Sequence, residues 1–165
     1  MNFWVLAFSY WIHLLATAVW FGGLILMALV AWPAFKQADL SSNQWLKFQQ
    51  RFSLWVNGSL VILLITGFLQ MTNDVNYDGF LKVNTVWAWA MLLKHMAYVA
   101  LVGIAIYLQT SLYPAMERTA VLSQKRPQLA ASEQETLTQQ ESRLLKINLF
   151  CAVALLFCTA VATAV

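Results

Sequence analysis

Four stretches of the chain are almost unbroken in apolar residues, and the polar residues collect between them. The first runs from Phe3 to Trp32, longer than the ~20 residues an α-helix needs to cross a bilayer. Pro33, which fits poorly inside a helix, predicts its end. The stretch 39–51 is polar, but Trp45, Leu46 and Phe48 are spaced for one helical face. It predicts a helix capped by Ser41 or Ser42 that feeds a second span over 52–71. Asn, Asp and Gly crowd 72–84 and predict a loop. A third span covers 85–112, with Pro114 marking its exit. The segment 125–142 is the clearly hydrophilic region, and 114–143 reads as one polar connection. Ser132 followed by Glu135 is a capping-box pattern, so a solvated helix is expected to start there and run into the last span, 144–165.

These periods predict an all-α integral membrane fold, one four-helix up-down-up-down bundle filling residues 1–165. Composition agrees: 61% of the 165 residues are apolar and 10% are charged, against about 25% charged in an ordinary soluble domain. The net charge of +3 sits in the connections and forms no basic stripe, which excludes a nucleic-acid partner. Its distribution predicts orientation. Lys36, Lys47 and Arg51 flank the first connection, and Arg118, Lys125, Arg126, Arg143 and Lys146 the third; the middle one holds Asp74, Asp78 and Lys82. The positive-inside rule then puts both termini outside, in a bacterial-type inner membrane or an internal membrane derived from it. Trp4, Trp87 and Trp89 are expected at the outer interface, and Trp32, Trp55 and Tyr113 at the inner one. With no positive leader before it, the first apolar run is expected to remain in the mature protein. Cys151 and Cys158 lie about 10 Å apart along a helix, too far for a disulfide, and are read as packing residues.

Chargeable groups are costly inside a bilayer and mark function. Apart from Lys146 at the polar edge of the last, the spans hold three, His13, Lys94 and His95, and no Asp or Glu, which argues against a proton pump or ion-coupled carrier. His13 lies ten residues beyond Phe3 and His95 ten beyond Thr85. On parallel helices both imidazoles therefore sit about 15 Å below the outer surface. In a square bundle alternate helices are diagonal, about 13 Å apart for neighbours spaced about 9–10 Å. Two imidazoles with one iron between them bridge that gap, and axial histidines are a standard haem ligation. Ala16, Thr17 and Ala88 are small enough to leave room, and Gly22, Gly23, Gly58, Gly67 and Gly103 permit close helix approach. Trp20, Tyr98 and Met91 fall at helical offsets from the histidines. Lys94, or Lys82 nearer the surface, can pair with a haem propionate. Against this stand plainer readings: a histidine bonding a neighbouring helix, or Lys94 snorkelling outward. Met27, Met71, Met96 and Met116 read as core or interface residues; Met91, one turn before His95, also suits a soft copper site. Asn148 is read as bonding a neighbouring helix, with contact to a quinone as the alternative.

The stretch HLLATAVWFGGLILMALV (13–30) resembles the opening helix of the copper-resistance protein D (CopD-like) family. The pair Thr66–Gly67, the LLK of 92–94 and the exit RLLKINLFCAVALLFCTAVATAV (143–165) are similar to later parts of that domain. His13 followed by Trp20, Phe21, Gly23 and Leu24 also looks like the first helix of HemJ-type protoporphyrinogen oxidases, whose His and Lys would map onto His13 and Lys94. The chain departs from that second pattern before Lys94, where tryptophans stand at 87 and 89. The first resemblance implies a copper-related or redox membrane protein; the second implies a porphyrin oxidase.

The leading expectation from the residues is a membrane b-type cytochrome: one haem b held by His13 and His95, with Lys94, Trp20 and Tyr98 around it. It would pass electrons between a quinone or redox protein and an outer acceptor. The alternatives are a copper-handling protein using Met91, His95 and His13, a porphyrin oxidase, and an accessory subunit without catalysis. If the protein is an enzyme, it is an oxidoreductase. A homodimer and a larger membrane complex both remain open.

Overall fold

A computed structural model describes residues 2–36, 42–77, 79, 84–123 and 126–165. Its elements are α1 (Phe3–Leu26), α2 (Trp32–Lys36), α3 (Ser42–Thr72), α4 (Val86–Tyr107), α5 (Tyr113–Leu122) and α6 (Pro127–Ala164). A π-helical turn at Met27–Ala31 joins α1 to α2, and another at Leu108–Leu112 joins α4 to α5. The result is four long rods, each long and apolar enough to cross a membrane.

Both prolines lie inside continuous rods, contrary to the expectation that they end them. The reason lies in the π turns. Trp32 N–H bonds the carbonyl of Met27, and Tyr113 N–H that of Leu108, five residues back rather than four. The widened turn displaces the carbonyl that a proline ring would otherwise strike. Pro33 and Pro114 therefore sit just past a π turn without breaking the helix. The first polar connection is helical from Ser42, as expected, and the second is more helical than expected. α3 begins at Ser42, and α6 begins at Pro127, so Ser132 lies within its first turns and bonds backward to the carbonyl of Leu129. Ser41 lies outside the described residues. At the terminal end Asn2 and Thr85 cap α1 and α4, accepting from Trp4 N and Ala88 N.

The topology is up-down-up-down. α1 runs antiparallel along α3, with Ser9 bonded to Gln70, His13 to Thr66 and Gly23 against Phe52. α4 runs antiparallel along α6, and the two pairs meet through α6 against α1 and α5 against α3. α1 and α4 therefore stand diagonally and parallel. α3 and α4 do not pack closely, and bridges between side chains span the seam: Tyr98 Oη to Leu60 O at 2.8 Å and the paired amides of Asn57 and Gln109 at 2.9 and 3.0 Å.

Three apolar layers fill the interior. Met71, Trp87, Ala90 and Ala162 form the layer at the terminal end. Trp20, Leu24, Leu60, Leu101, Ala152 and Leu155 form the middle one. Met27, Trp32, Trp45, Leu108, Leu112, Met116 and Leu145 form the far one. Outward faces carry Leu14, Leu15, Leu64, Ile65, Leu93, Val99, Phe150 and Phe157, as contact with lipid tails requires. Trp87 and Trp32 belong to the core, not to the membrane interfaces expected of them, because their helical positions point to α6 and to Trp45. Trp4, Trp55 and Trp89 are exposed. Met96 also faces outward, while Met27, Met71 and Met116 are core residues. Gly22, Gly58 and Gly103 face open space, so close helix approach is confined to Gly23, under the Phe52 ring, and Gly67. Both cysteines are free and half-buried.

Candidate functional site

Between the terminal and middle layers lies a cavity of about 190 Å³ lined by all four rods. α1 contributes His13, Leu14, Thr17 and Trp20; α3 contributes Leu60, Leu63, Leu64, Gly67 and Phe68. α4 contributes Met91, Lys94, His95 and Tyr98, and α6 contributes Leu155, Leu156 and Thr159. The six residues that sequence patterning singled out, His13, Trp20, Met91, Lys94, His95 and Tyr98, are thus brought together. Ala88 is not; it packs with Trp87 in the terminal layer. A second lobe of about 310 Å³ follows the α3–α4 seam and shares Leu60, Leu64 and Tyr98 with the first. Lys82 lies outside the described residues.

The hydrogen bonds of the two imidazoles fix which nitrogen is free. His95 Nδ1 lies 2.6 Å from the carbonyl of Met91. A carbonyl only accepts, so Nδ1 carries the proton and donates. His13 Nδ1 lies 2.7 Å from Thr66 Oγ1, whose own hydroxyl donates to Ile62 O at 2.6 Å. With that proton committed, Thr66 accepts, and His13 Nδ1 also donates. Both rings are therefore the tautomer with a bare Nε2, and neither Nε2 bonds another described residue. Metal-binding histidines are held in this way, one nitrogen donating to an oxygen while the other is left as the ligand.

Small residues line the cavity beside His13. Gly67 faces the His13 ring, where an added Cβ would lie 3.4 Å from His13 Cε1, an ordinary contact distance. Thr17, which also lines the cavity, donates to the His13 carbonyl at 2.8 Å. Lys94 lies within electrostatic reach of His13 and lines the same wall.

Thr66→Val tests the second half of this geometry. It leaves the His13 Nδ1 donor without its acceptor, at a cost of about 1–3 kcal/mol. Loss of such an outer partner typically lowers metal affinity 10–100-fold. Titration of wild type and variant with Cu(I) and, separately, with haem should show that loss for whichever ligand the wild type binds, with helix content unchanged by circular dichroism.

A second polar centre lies at the far end of the bundle, and sequence reading missed it. Glu141 on α6 is 0% exposed. Trp45 Nε1 donates to its Oε2 at 3.3 Å, and Gln49 Nε2 donates to its Oε1. Tyr113 lies within electrostatic reach. Beside this group is a cavity of about 50 Å³ lined by Gln49, Ser53, Asn57, Gln109, Tyr113 and Asn148 among others. Gln49 Oε1 and Asn148 Oδ1 are buried there without a partner among the described residues. Asn148 was expected to bond a neighbouring helix through its amide, and its oxygen does not. Glu141 escaped notice because it lies in the polar stretch before the last apolar run. A continuous α6 carries that stretch back into the bundle, and the phase shared with Leu145 and Asn148 is the signal that would have revealed it.

Comparison with known proteins bears on these features. The family model described as Copper resistance protein D matches residues 46–162. That range holds α4 with Met91, Lys94, His95 and Tyr98, and it holds Glu141; α1 with His13 precedes it. No curated protein and no solved structure matches the chain. The match spans well over half of the sequence, and the chain belongs to the copper resistance protein D family.

Proposed function

We propose that this CopD-family bundle is a membrane b-type cytochrome that holds one haem between His13 and His95 and transfers electrons. The observation that carries the reading is that His13 and His95, each with Nδ1 committed as a donor, line one apolar cavity from diagonal parallel helices. Separation of α3 from α4 adds the second lobe that a flat macrocycle needs beyond the first. Bound there, haem would supply a one-electron couple with no open coordination position, suited to electron transfer and not to oxygen binding.

The remaining residues have definable tasks. Thr66 and the Met91 carbonyl hold the two rings in the ligating tautomer. Leu60, Leu63, Leu64, Leu155 and Leu156 exclude water and lower the local dielectric. Lys94 supplies a positive charge that pairs with a carboxylate of the bound group and favours its reduced state. The electron donor would be a quinol or a protein partner. The excess of positive residues flanking the first and third connections supports an orientation with both termini outside.

A copper site is the second reading, and two observations favour it: the family match and the thioether of Met91 beside His95. Two imidazoles and a thioether are of the right softness for Cu(I). The same wall carries an ammonium and no carboxylate, however. A bare cation there would add positive charge to positive charge in a low dielectric, whereas a haem with its carboxylates brings negative charge. The electrostatics favour haem. Met91→Leu separates the two: it should leave a haem spectrum intact to within a small shift, and it should remove most bound copper if copper is the occupant.

A further inference from the structure

Two pairs of rods, α1 with α3 and α4 with α6, pack along their lengths, whereas α3 does not pack closely on α4. The groove of about 310 Å³ between α3 and α4 has Val61, Leu64 and Ile106 among its lining residues, and all three are exposed on the lipid-facing surface. Leu60, Leu64 and Tyr98 line both this groove and the histidine cavity, so the two spaces adjoin. Leu60 is 6% exposed and Leu64 is 49% exposed, so the shared wall runs from the interior to the surface. Apolar space of this kind does not hold water. Within a bilayer it takes up lipid chains or other apolar solutes. The seam is bridged by side chains: Tyr98 Oη donates to the main-chain carbonyl of Leu60, and the amides of Asn57 and Gln109 pair. Single hydrogen bonds between membrane helices are weak, so these bridges can open without disturbing either packed pair of rods.

We propose that the α3–α4 seam is a lateral gate through which an apolar ligand dissolved in the bilayer enters the histidine cavity, with Tyr98 as its latch. The ligand is the flat macrocycle of the cytochrome reading, and its identity rests on that reading; the gate rests on the groove alone. Tyr98 has the latch position because it lines both spaces and its hydroxyl ties α4 to α3. A carbonyl oxygen has two lone pairs, so releasing Tyr98 leaves the Leu60 carbonyl free to keep its place in α3. Entry from the side also suits a ligand with a large apolar surface, which never has to leave hydrocarbon on its way to the histidines.

Sealing the groove tests the gate in the full chain in lipid nanodiscs. In a background of Cys151→Ala and Cys158→Ala, the pair Val61→Cys and Val102→Cys stands on the two walls of the groove and can be bridged by a bifunctional thiol reagent that reductant cleaves. A small apolar diazirine dissolved in the bilayer is photolysed seconds after addition. Insertion is then mapped at Leu155, buried on the cavity wall, relative to Phe157, exposed to lipid. Bridging should lower that ratio at least fivefold, and reduction should restore it. Tyr98→Phe should raise it about threefold, the factor that an average hydrogen bond between membrane helices is worth. The gate is overturned if bridging leaves the ratio unchanged, or if Leu155 is never labelled in the wild type. An unchanged ratio in Tyr98→Phe overturns the latch and, where the cysteine pair does not fold, the gate with it. Uptake of haem from hemin-loaded vesicles is the second arm, expected to be at least tenfold slower in the bridged protein. Equal uptake in both states overturns entry by the seam. No haem bound in either state, with the diazirine result as expected, overturns the cytochrome reading and leaves the gate standing.

Discussion

His13→Ala and His95→Ala should each abolish the low-spin haem spectrum of the purified protein, leaving a folded, haem-poor bundle. If haem is held as proposed, the effect is large because each variant would remove one of the two side chains that hold it. Alanine also enlarges an existing cavity, so the helices lose little of their own packing: both histidines are only half-buried and contribute to none of the three apolar layers. Circular dichroism should therefore report helix content near that of the wild type, and added imidazole should restore part of the spectrum by occupying the vacated position. A porphyrin-oxidase reading predicts another order of damage, in which Lys94→Ala is the severe change and His95→Ala the mild one. Comparing the three variants on the same spectrum and on porphyrin turnover separates these outcomes.

The largest stability effect is expected at the far end, from Trp45→Ala. The Trp45 ring is 0% exposed and stacks on Phe35 at 5.0 Å between centroids, with Trp32 at 5.9 Å and Phe48 at 6.3 Å. Removing a fully buried tryptophan costs about 3–5 kcal/mol through lost contacts and the cavity left behind. It also strips one of the two donors from the buried Glu141 carboxyl, a loss of about 1–3 kcal/mol or more for a charged group. The variant should unfold at markedly lower temperature in detergent, and Trp45→Phe should recover the stacking but not the hydrogen bond. The difference between the two variants measures what the stacked ring contributes, and the deficit of Trp45→Phe from the wild type carries the loss of the indole N–H at Glu141.

Much of the architecture can be read from sequence because a bilayer simplifies the problem. Backbone groups must be satisfied within each segment, so apolar length nearly dictates a spanning helix. The equal distances of His13 from Phe3 and of His95 from Thr85 lead to the expectation of one level, and the structure brings both residues to the lining of one cavity. What sequence concealed depends on contacts between helices. Whether Pro33 and Pro114 break a rod is decided by π turns with no residue signature. Trp87 and Trp4 are the same residue type near the same end, and only packing against Ala162 makes the first a core residue. Thr66, which fixes the His13 tautomer, is fifty-three positions away in sequence and reads as an ordinary span threonine. Glu141 was masked by its polar neighbours, since composition reports a segment and burial belongs to one face of it.

The claim on which the account depends is that the cavity between His13 and His95 is a haem site. A reduced-minus-oxidised absorption spectrum of the wild-type protein, taken with metal analysis of the same sample, tests it most directly. The account predicts the sharp bands of a low-spin b-type haem, with about one iron per chain for a single bis-histidine site. Copper in place of iron, or a protein without haem absorption even after reconstitution with haem, would contradict it.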